Sequence, residues 1–539
     1  MAEIPVDRMS LVVGVTGHRD VAIDDEKHLR AAFGRTLQRL SQSCPNTPLL
    51  VLSGLAAGTD SLAAEEAFAR NIPVMACLPM PISEYEKDFL PAELARFRVL
   101  LSQCSRVAVT SPTREKGYVA LGHFIAQYSH VLVAFWDEET SRGAGGTSEV
   151  VDMRMTSRPQ PVGLEDIPYL PDVGPVDVIV TPRIRARRPV ESYSVKRLYP
   201  EHAARDRTAA ANFKSILSHV DTYNVDLSRT FASNEESPLQ SLMQRTDDIA
   251  NRLRKRTNYF QLFLFLSAFV AAAVQIVGVI PTFAKVSGLL VAGLAYIIAR
   301  RNDYENRYQD YRAITEGLRV QSAWHFAGLH HRLADNEYLR TQEGEVQWIR
   351  MALRFFFLLC CEGRKSPDPE HQLAVSQNWV RSQWRYYYRV SRRQKRLKKM
   401  LDGVAVAALA IGAAFFVVAA VELGRWLPCA LDRRFCAGPS RPEHFYLLQS
   451  LLTVPFVIGA MLGAILAAYS EKHSVAVNAR RYERMFFIFD RARRELAGIA
   501  KGRAGDYKDL IYKLGRTALI EHADWLIIRR DRPMKVVIG

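Results

Sequence analysis

The chain has 539 residues, with 72 Lys and Arg against 56 Asp and Glu and a net charge of +16. That length is room for more than one domain. The charge is uneven: residues 1–190 are slightly acidic and lack the overall basic face that a duplex-binding domain needs, so no nucleic-acid partner is expected. The seven cysteines are too few and too scattered for a disulfide framework.

The chain opens on MAEIPVDRMS, with neither a basic leader nor a long apolar stretch, so the first domain is expected in the cytoplasm. Strand-like runs follow at Leu11–Thr16, Leu49–Ser53, Val74–Leu78, Val107–Thr110, Val131–Trp136 and Val176–Val180. Helical patterns lie between them, among others over 27–42, 61–70 and 117–128. The alternation predicts an α/β doubly wound, Rossmann-like domain over 1–190. Ligands in such folds sit at the carboxyl ends of the strands.

Three glycine-rich stretches fall at those ends. The first strand runs into Gly14-Val15-Thr16-Gly17-His18-Arg19, and the second into Ser53-Gly54-Leu55-Ala56-Ala57-Gly58-Thr59-Asp60. The fifth ends in Trp136, followed by Gly145-Gly146-Thr147-Ser148-Glu149. Glycine lets the backbone approach a phosphate closely, and amides at a following helix start bind anions. Each stretch alone reads equally as a tight turn. Together they predict a nucleotide-type site, with charge from His18 and Arg19 and hydroxyls from Thr16, Ser53 and Thr147. Neither G-x-G-x-x-G after the first strand nor a Walker lysine is present, which argues against an ordinary dehydrogenase or P-loop ATPase. Glu149 reads either as a catalytic carboxylate or as an acidic residue favoured by the helix dipole. No metal and no resident cofactor are expected.

Residues 191–240 are polar and read as a linker, introduced by PRIRARRP. Four apolar runs follow: Phe260–Ile280, Val286–Ala299, Gly403–Val421 and Tyr446–Tyr469. Their length and basic flanks predict four membrane spans, with 1–258, 300–402 and 470–539 in the cytoplasm. The 425–445 loop is then outside. Its Cys429 and Cys436 are either a disulfide or two free thiols. Gly459-x-x-x-Gly463 is a pattern that admits close helix approach. The plan repeats, with units over 241–375 and 376–539. Each has a basic leading helix, two runs and a charged helix whose aromatics share a face: Tyr304, Tyr308, Tyr311 and Leu318 in one, Tyr482, Phe486, Phe489 and Leu496 in the other. These stripes read as packing surfaces.

Two resemblances follow from these motifs. SGLAAGTDSLAAEEA, WDEETSRGAGGTSEVV and LPMPISEYEKDF, over about residues 8–185, resemble the SLOG superfamily, which includes DprA and the LOG phosphoribohydrolases. NWVRSQWRYYYRVSRRQKRLKK with the terminal EHADWLIIRRDRP looks like the SLATT family of two-span modules, a likeness that occurs twice over 240–539. The likeness implies a bacterial inner-membrane effector that senses a nucleotide or cyclic-nucleotide-like second messenger. It further implies a homo-oligomer, a functional link to a messenger-producing enzyme, and a pore-forming or membrane-perturbing role in antiviral conflict. The alternative it implies is a membrane-anchored LOG-like hydrolase of nucleoside monophosphates, with Glu149 as the catalytic residue.

Overall fold

The structure, a computed structural model, describes residues 3–109, 111, 113–139, 145–156, 174–184, 193–200, 209–230, 238–276, 282–329, 338–339, 346–361, 368–431, 442–501 and 505–530. The chain forms two compact units that interleave in sequence. One holds 1–250, 309–372 and 511–526; the other holds 251–308, 373–510 and 527–539.

The first unit is built on β1 (Leu11–Gly17), β2 (Leu49–Ser53), β3 (Val74–Leu78), β4 (Ser105–Ala108), β5 (Val131–Trp136), β6 (Val176–Val180) and β7 (Val195–Leu198). The sheet order is β4-β3-β2-β1-β5-β6-β7. Strands β1 to β6 pair in parallel, with Gly14 beside Leu52 on one side and beside Leu132 on the other. Strand order therefore reverses at β1, and the β1/β5 crevice is the topological switch point. Val12, Val13, Leu50, Val51, Leu132 and Val133 are fully buried. Continuous apolar runs of this kind belong to strands covered on both faces.

Helices α1 (Ile23–Ser43), α2 (Thr59–Ala69) and α4 (Pro91–Ser102) form one layer, and α5 (Arg114–Tyr128) and α6 (Thr147–Thr156) form the other. The short α3 (Ile82–Tyr85) follows β3. Two glycines of β1 show the layering. A Cβ at Gly14 would meet Ser129 and Ile125 beside α5, and one at Gly17 would meet Thr59 of α2. Positions three apart on a strand face opposite sides.

Two expectations are corrected here. The sheet is mixed, because β7 pairs antiparallel with β6. The segment read as a linker carries β7 and α7 (Ala209–Ser228). Strand β7 is held by the fully buried Asp177 of β6, which accepts from Arg197 at 2.6 and 2.7 Å and from Arg39 of α1 at 2.8 Å. Asn224 of α7 clamps the start of β1, accepting from the Met9 N–H and donating to the Met9 carbonyl, both at 2.9 Å.

Helices α10 (Tyr304–Phe326) and α11 (Gln347–Cys361) also pack into the first unit, α10 from Gln309 onward. The Tyr311 hydroxyl donates to Asp226 at 2.6 Å, and Trp348 lies against Tyr223. Tyr308, Tyr311 and Leu318 are buried, as a packing stripe should be. Residues 309–372 thus sit with the sheet.

The second unit contains most of α8 (Pro238–Ile276), α9 (Thr282–Arg301), most of α12 (Pro369–Leu431), α13 (Pro442–Lys472) and most of α14 (Val475–Ile499). Helix α15 (Tyr507–Arg530) follows. Among the described residues two helical stretches are long and apolar enough to cross a membrane, Pro369–Val418 and Val454–Ile499; only 11% of the most apolar window of each is buried. This is two, where four were expected. The runs Phe260–Ile280 and Val286–Ala299 are helical where described, but much of each lies outside the residues whose side chains are described. The Cys429–Cys436 question also lies outside them, although the backbone at Cys429 is helical in α12.

The second and fourth apolar runs end alike. Asp303 and Ser474 have φ of 48° and 49°, and each is followed directly by a new helix. Lys472 bonds Glu305 across the two ends at 2.9 Å. Gly459 makes its close approach within the chain: a Cβ there would lie 2.5 Å from the Ala408 carbonyl oxygen of α12. The stripe of α14 packs on the leading part of α12, with Phe489 against Trp379 and Tyr387, and Phe486 against Trp384 and Tyr388.

Candidate functional site

A cavity of about 520 Å³ opens at the β1/β5 switch point. Three glycine-rich stretches reach it. β1 and its loop supply Thr16, Gly17, His18 and Arg19; the β2–α2 connection supplies Ala56 and Asp60; the start of α6 supplies Gly145, Gly146, Thr147 and Ser148.

The remaining candidate residues do not line the cavity; they shape its walls. Gly14 seats α5 against β1. The Ser53 hydroxyl donates to the Asp60 carbonyl at 3.3 Å and accepts the Leu55 N–H at 3.1 Å. Leu55 itself is buried with φ of 51°. The Gly54 carbonyl accepts the Tyr85 hydroxyl at 3.0 Å. Gly58 has φ of 83°, and a Cβ there would lie 2.6 Å from the His18 carbonyl oxygen. Trp136 donates from its indole to the Glu139 carbonyl at 2.8 Å. Glu149 accepts the Gly145 N–H at 2.6 Å, closing the loop at the start of α6. Its carboxylate holds the backbone and is not on the cavity wall.

The two basic residues after β1 differ in role. His18 Nε2 lies 3.1 Å from Asp137 Oδ1 and 3.2 Å from the Asp137 N–H. Burial lowers its pKa, and the neighbouring Asp137 only partly offsets this. His18 is therefore mostly neutral at pH 7 and accepts the Asp137 N–H. Arg19 supplies the fixed charge of this loop, with its guanidinium 5.5 Å from the Tyr118 ring centroid.

Asp60 is the most perturbed acid of the site. It is 8% exposed, and burial pushes its carboxyl up to about 7 against the opposing pull of Arg19 and the Ala56 N–H. Its Oδ1 has no hydrogen-bond partner among the described residues. A perturbed, buried carboxyl in a cleft is a candidate functional position.

Sequence reasoning missed several cavity residues. Tyr85 and Asp88 come from the segment after β3, Arg114 and Tyr118 from α5, and Arg183 from the end of β6. Asp88 pairs with both Arg114 and Tyr118, and Arg183 bonds Asp20 at 2.9 Å. The signal was positional: each follows a parallel strand's carboxyl end.

No protein-family model matches the chain, and no curated protein matches it. The architecture is thus a Rossmann-like mixed-sheet domain joined to long apolar helices fit for membrane association.

Proposed function

We propose that this chain is a membrane effector, SLOG-like in its first domain and SLATT-like in its helices, that is switched by a nucleotide-derived messenger bound at the β1/β5 crevice. The supporting observation is the convergence of three glycine-rich loops, Arg19 and the α6 N-terminus on one cavity of about 520 Å³. Occupancy then alters the packing of the apolar helices and opens or disrupts the inner membrane, in a homo-oligomer supplied by a separate messenger-producing enzyme.

A ligand can shift the helices only if it binds one arrangement more tightly than another. Two connections give it something to bear on. Helix α5 lines the crevice and also packs on α11, whose Arg354 donates to the Gln127 carbonyl at 2.9 Å. In sequence, α10 and α11 lie between the second and third apolar runs. The test is full-length protein in dye-loaded liposomes, titrated with a panel of linear and cyclic nucleotides. At least one should release dye from wild type and fail with Arg19→Ala. Binding without release by any member would sink the effector reading.

A further inference from the structure

The crevice wall carries two chemically distinct features. Arg19 and the first turn of α6 offer positive charge and amide donors, which suit a phosphate. Asp60 offers the opposite. It is 92% buried, since 8% of its surface is exposed, and it lies on the cavity wall. Oδ1 has no partner among the described residues. A buried acceptor left open costs free energy unless a bound group supplies the donor. The backbone around it is fixed: Ser53 holds the Asp60 carbonyl, and the Ser61 hydroxyl donates to the Ala56 carbonyl at 2.8 Å. An anionic ligand that engages both features must carry a hydrogen-bond donor a short distance from its phosphate. In switch-point crevices the group that meets an acidic side chain in this way is a sugar hydroxyl.

Resting on the nucleotide reading above, we propose that Asp60 is the specificity-determining acceptor for a ribose hydroxyl, so that the crevice takes ribonucleotides and rejects their deoxy counterparts. A site built to bond a hydroxyl discriminates strongly against the analogue lacking it, because its polar group is then left unpaired.

The experiment is calorimetric titration of full-length protein in lipid nanodiscs with the common ribonucleoside 5′-monophosphates and their 2′-deoxy and 3′-deoxy analogues. At least one ribonucleotide should bind, with one of its deoxy analogues weaker by roughly tenfold or more. In Asp60→Ala that ratio should fall to near one, with weaker residual binding held by Arg19 and α6. Asp60→Asn keeps the shape and one acceptor; with its melting curve intact, it should show an intermediate ratio. Equal binding of ribo and deoxy forms by wild type overturns the proposal, as does a wild-type ratio in Asp60→Ala. If Asp60→Ala does not fold, the wild-type series and Asp60→Asn decide. Nucleotide binding without sugar discrimination sinks this inference alone. Absence of binding by every mononucleotide, and by the linear and cyclic nucleotides of the liposome panel, sinks the nucleotide reading as well.

Discussion

His130 Nε2 donates to the Met351 carbonyl at 3.0 Å, while its Nδ1 accepts the Val12 N–H at 3.0 Å. One imidazole, 1% exposed, thus joins β1 and the start of β5 to α11. The carbonyl can only accept and the amide can only donate, so this is the neutral tautomer with hydrogen on Nε2. The His130 carbonyl also accepts from the buried Arg154 of α6, whose guanidinium holds the Ala126 and Gly174 carbonyls too. His130 thus links the α11 contact to Arg154 of α6, the helix whose start lines the crevice.

Replacing His130 with Phe leaves the buried Val12 N–H unpaired and removes the side-chain donor to the Met351 carbonyl, which stays within the α11 helix. The expected cost is about 1–3 kcal/mol, the penalty for one orphaned buried donor. Thermal or denaturant unfolding of the full chain reads it directly. If α11 carries ligand occupancy toward the apolar helices, His130→Phe should also bind nucleotide near normally yet release less dye from liposomes. Parallel loss of binding and release would argue that His130 only holds the sheet.

Gly58 is required by geometry. Its φ of 83° and ψ of −127° belong to a region open almost only to glycine, and an added Cβ would strike the backbone of His18 and Arg19. Gly58→Ala should destabilise by about 1–3 kcal/mol and weaken ligand binding by displacing Arg19. A melting curve and a titration check the two effects separately. An unchanged melting temperature would contradict the geometry.

The centre of the sheet was legible because β1, β2, β3, β5 and β6 are buried on both faces and several are bounded by glycine or proline; the parallel strands and the switch-point loops followed from that alternation. Strand β7 was not, because four residues with two charges carry no strand signal. Its placement depends on Arg197 reaching Asp177, a contact formed only in the fold. Helix α7 was readable and missed: Phe213, Ile216, Leu217, Val220, Tyr223 and Leu227 are all buried and recur at helical spacing. Polar residues on its other face masked the stripe. In the site, the loops were found from glycine spacing, whereas Tyr118 and Arg183 are brought in by packing of α5 and β6 that no local pattern encodes. The interleaving of 309–372 with the sheet domain was likewise hidden, since the apolar runs suggest consecutive modules.

Asp177 tests the edge of the sheet. It is fully buried and takes both arginines with short bonds. Asp177→Ala removes the buried acceptor from Arg197 and the half-exposed Arg39, at an expected cost of about 1–3 kcal/mol. Asp177→Asn should cost less, because it keeps one acceptor oxygen. Unfolding midpoints that rank wild type above Asn above Ala support the assignment; equal midpoints for Ala and wild type would remove it.

Glu149 tests the hydrolase alternative. Its carboxylate is engaged by the Gly145 N–H, so Glu149→Gln, which retains an acceptor oxygen, should leave binding nearly unchanged. Full-length protein should release no free base from nucleoside monophosphates in a chromatographic assay. Turnover that disappears in Glu149→Gln would make this residue catalytic.

Asp60 should make stability fall as pH rises. Its folded pKa of about 7 lies above the ordinary carboxyl value of 3.8 because burial disfavours the charged form; Arg19 and the Ala56 N–H oppose the shift, and Tyr85 shares the same surroundings. A carboxyl raised on folding binds its proton more tightly in the folded state. No penalty therefore exists below about pH 4; it grows from pH 4 to 7 and is complete above. At about 1.4 kcal/mol per unit the shift corresponds to roughly 4 kcal/mol. Asp60→Asn removes the titration, so it should be more stable than wild type at pH 8 and indistinguishable from it near pH 4. Such a site is strained toward its ligand: a nucleotide that donates to Asp60 should narrow the gap at pH 8 for wild type. Denaturant midpoints of both proteins from pH 4 to 8, with and without ligand, measure this. A constant difference across the range would mean that Asp60 does not carry the penalty.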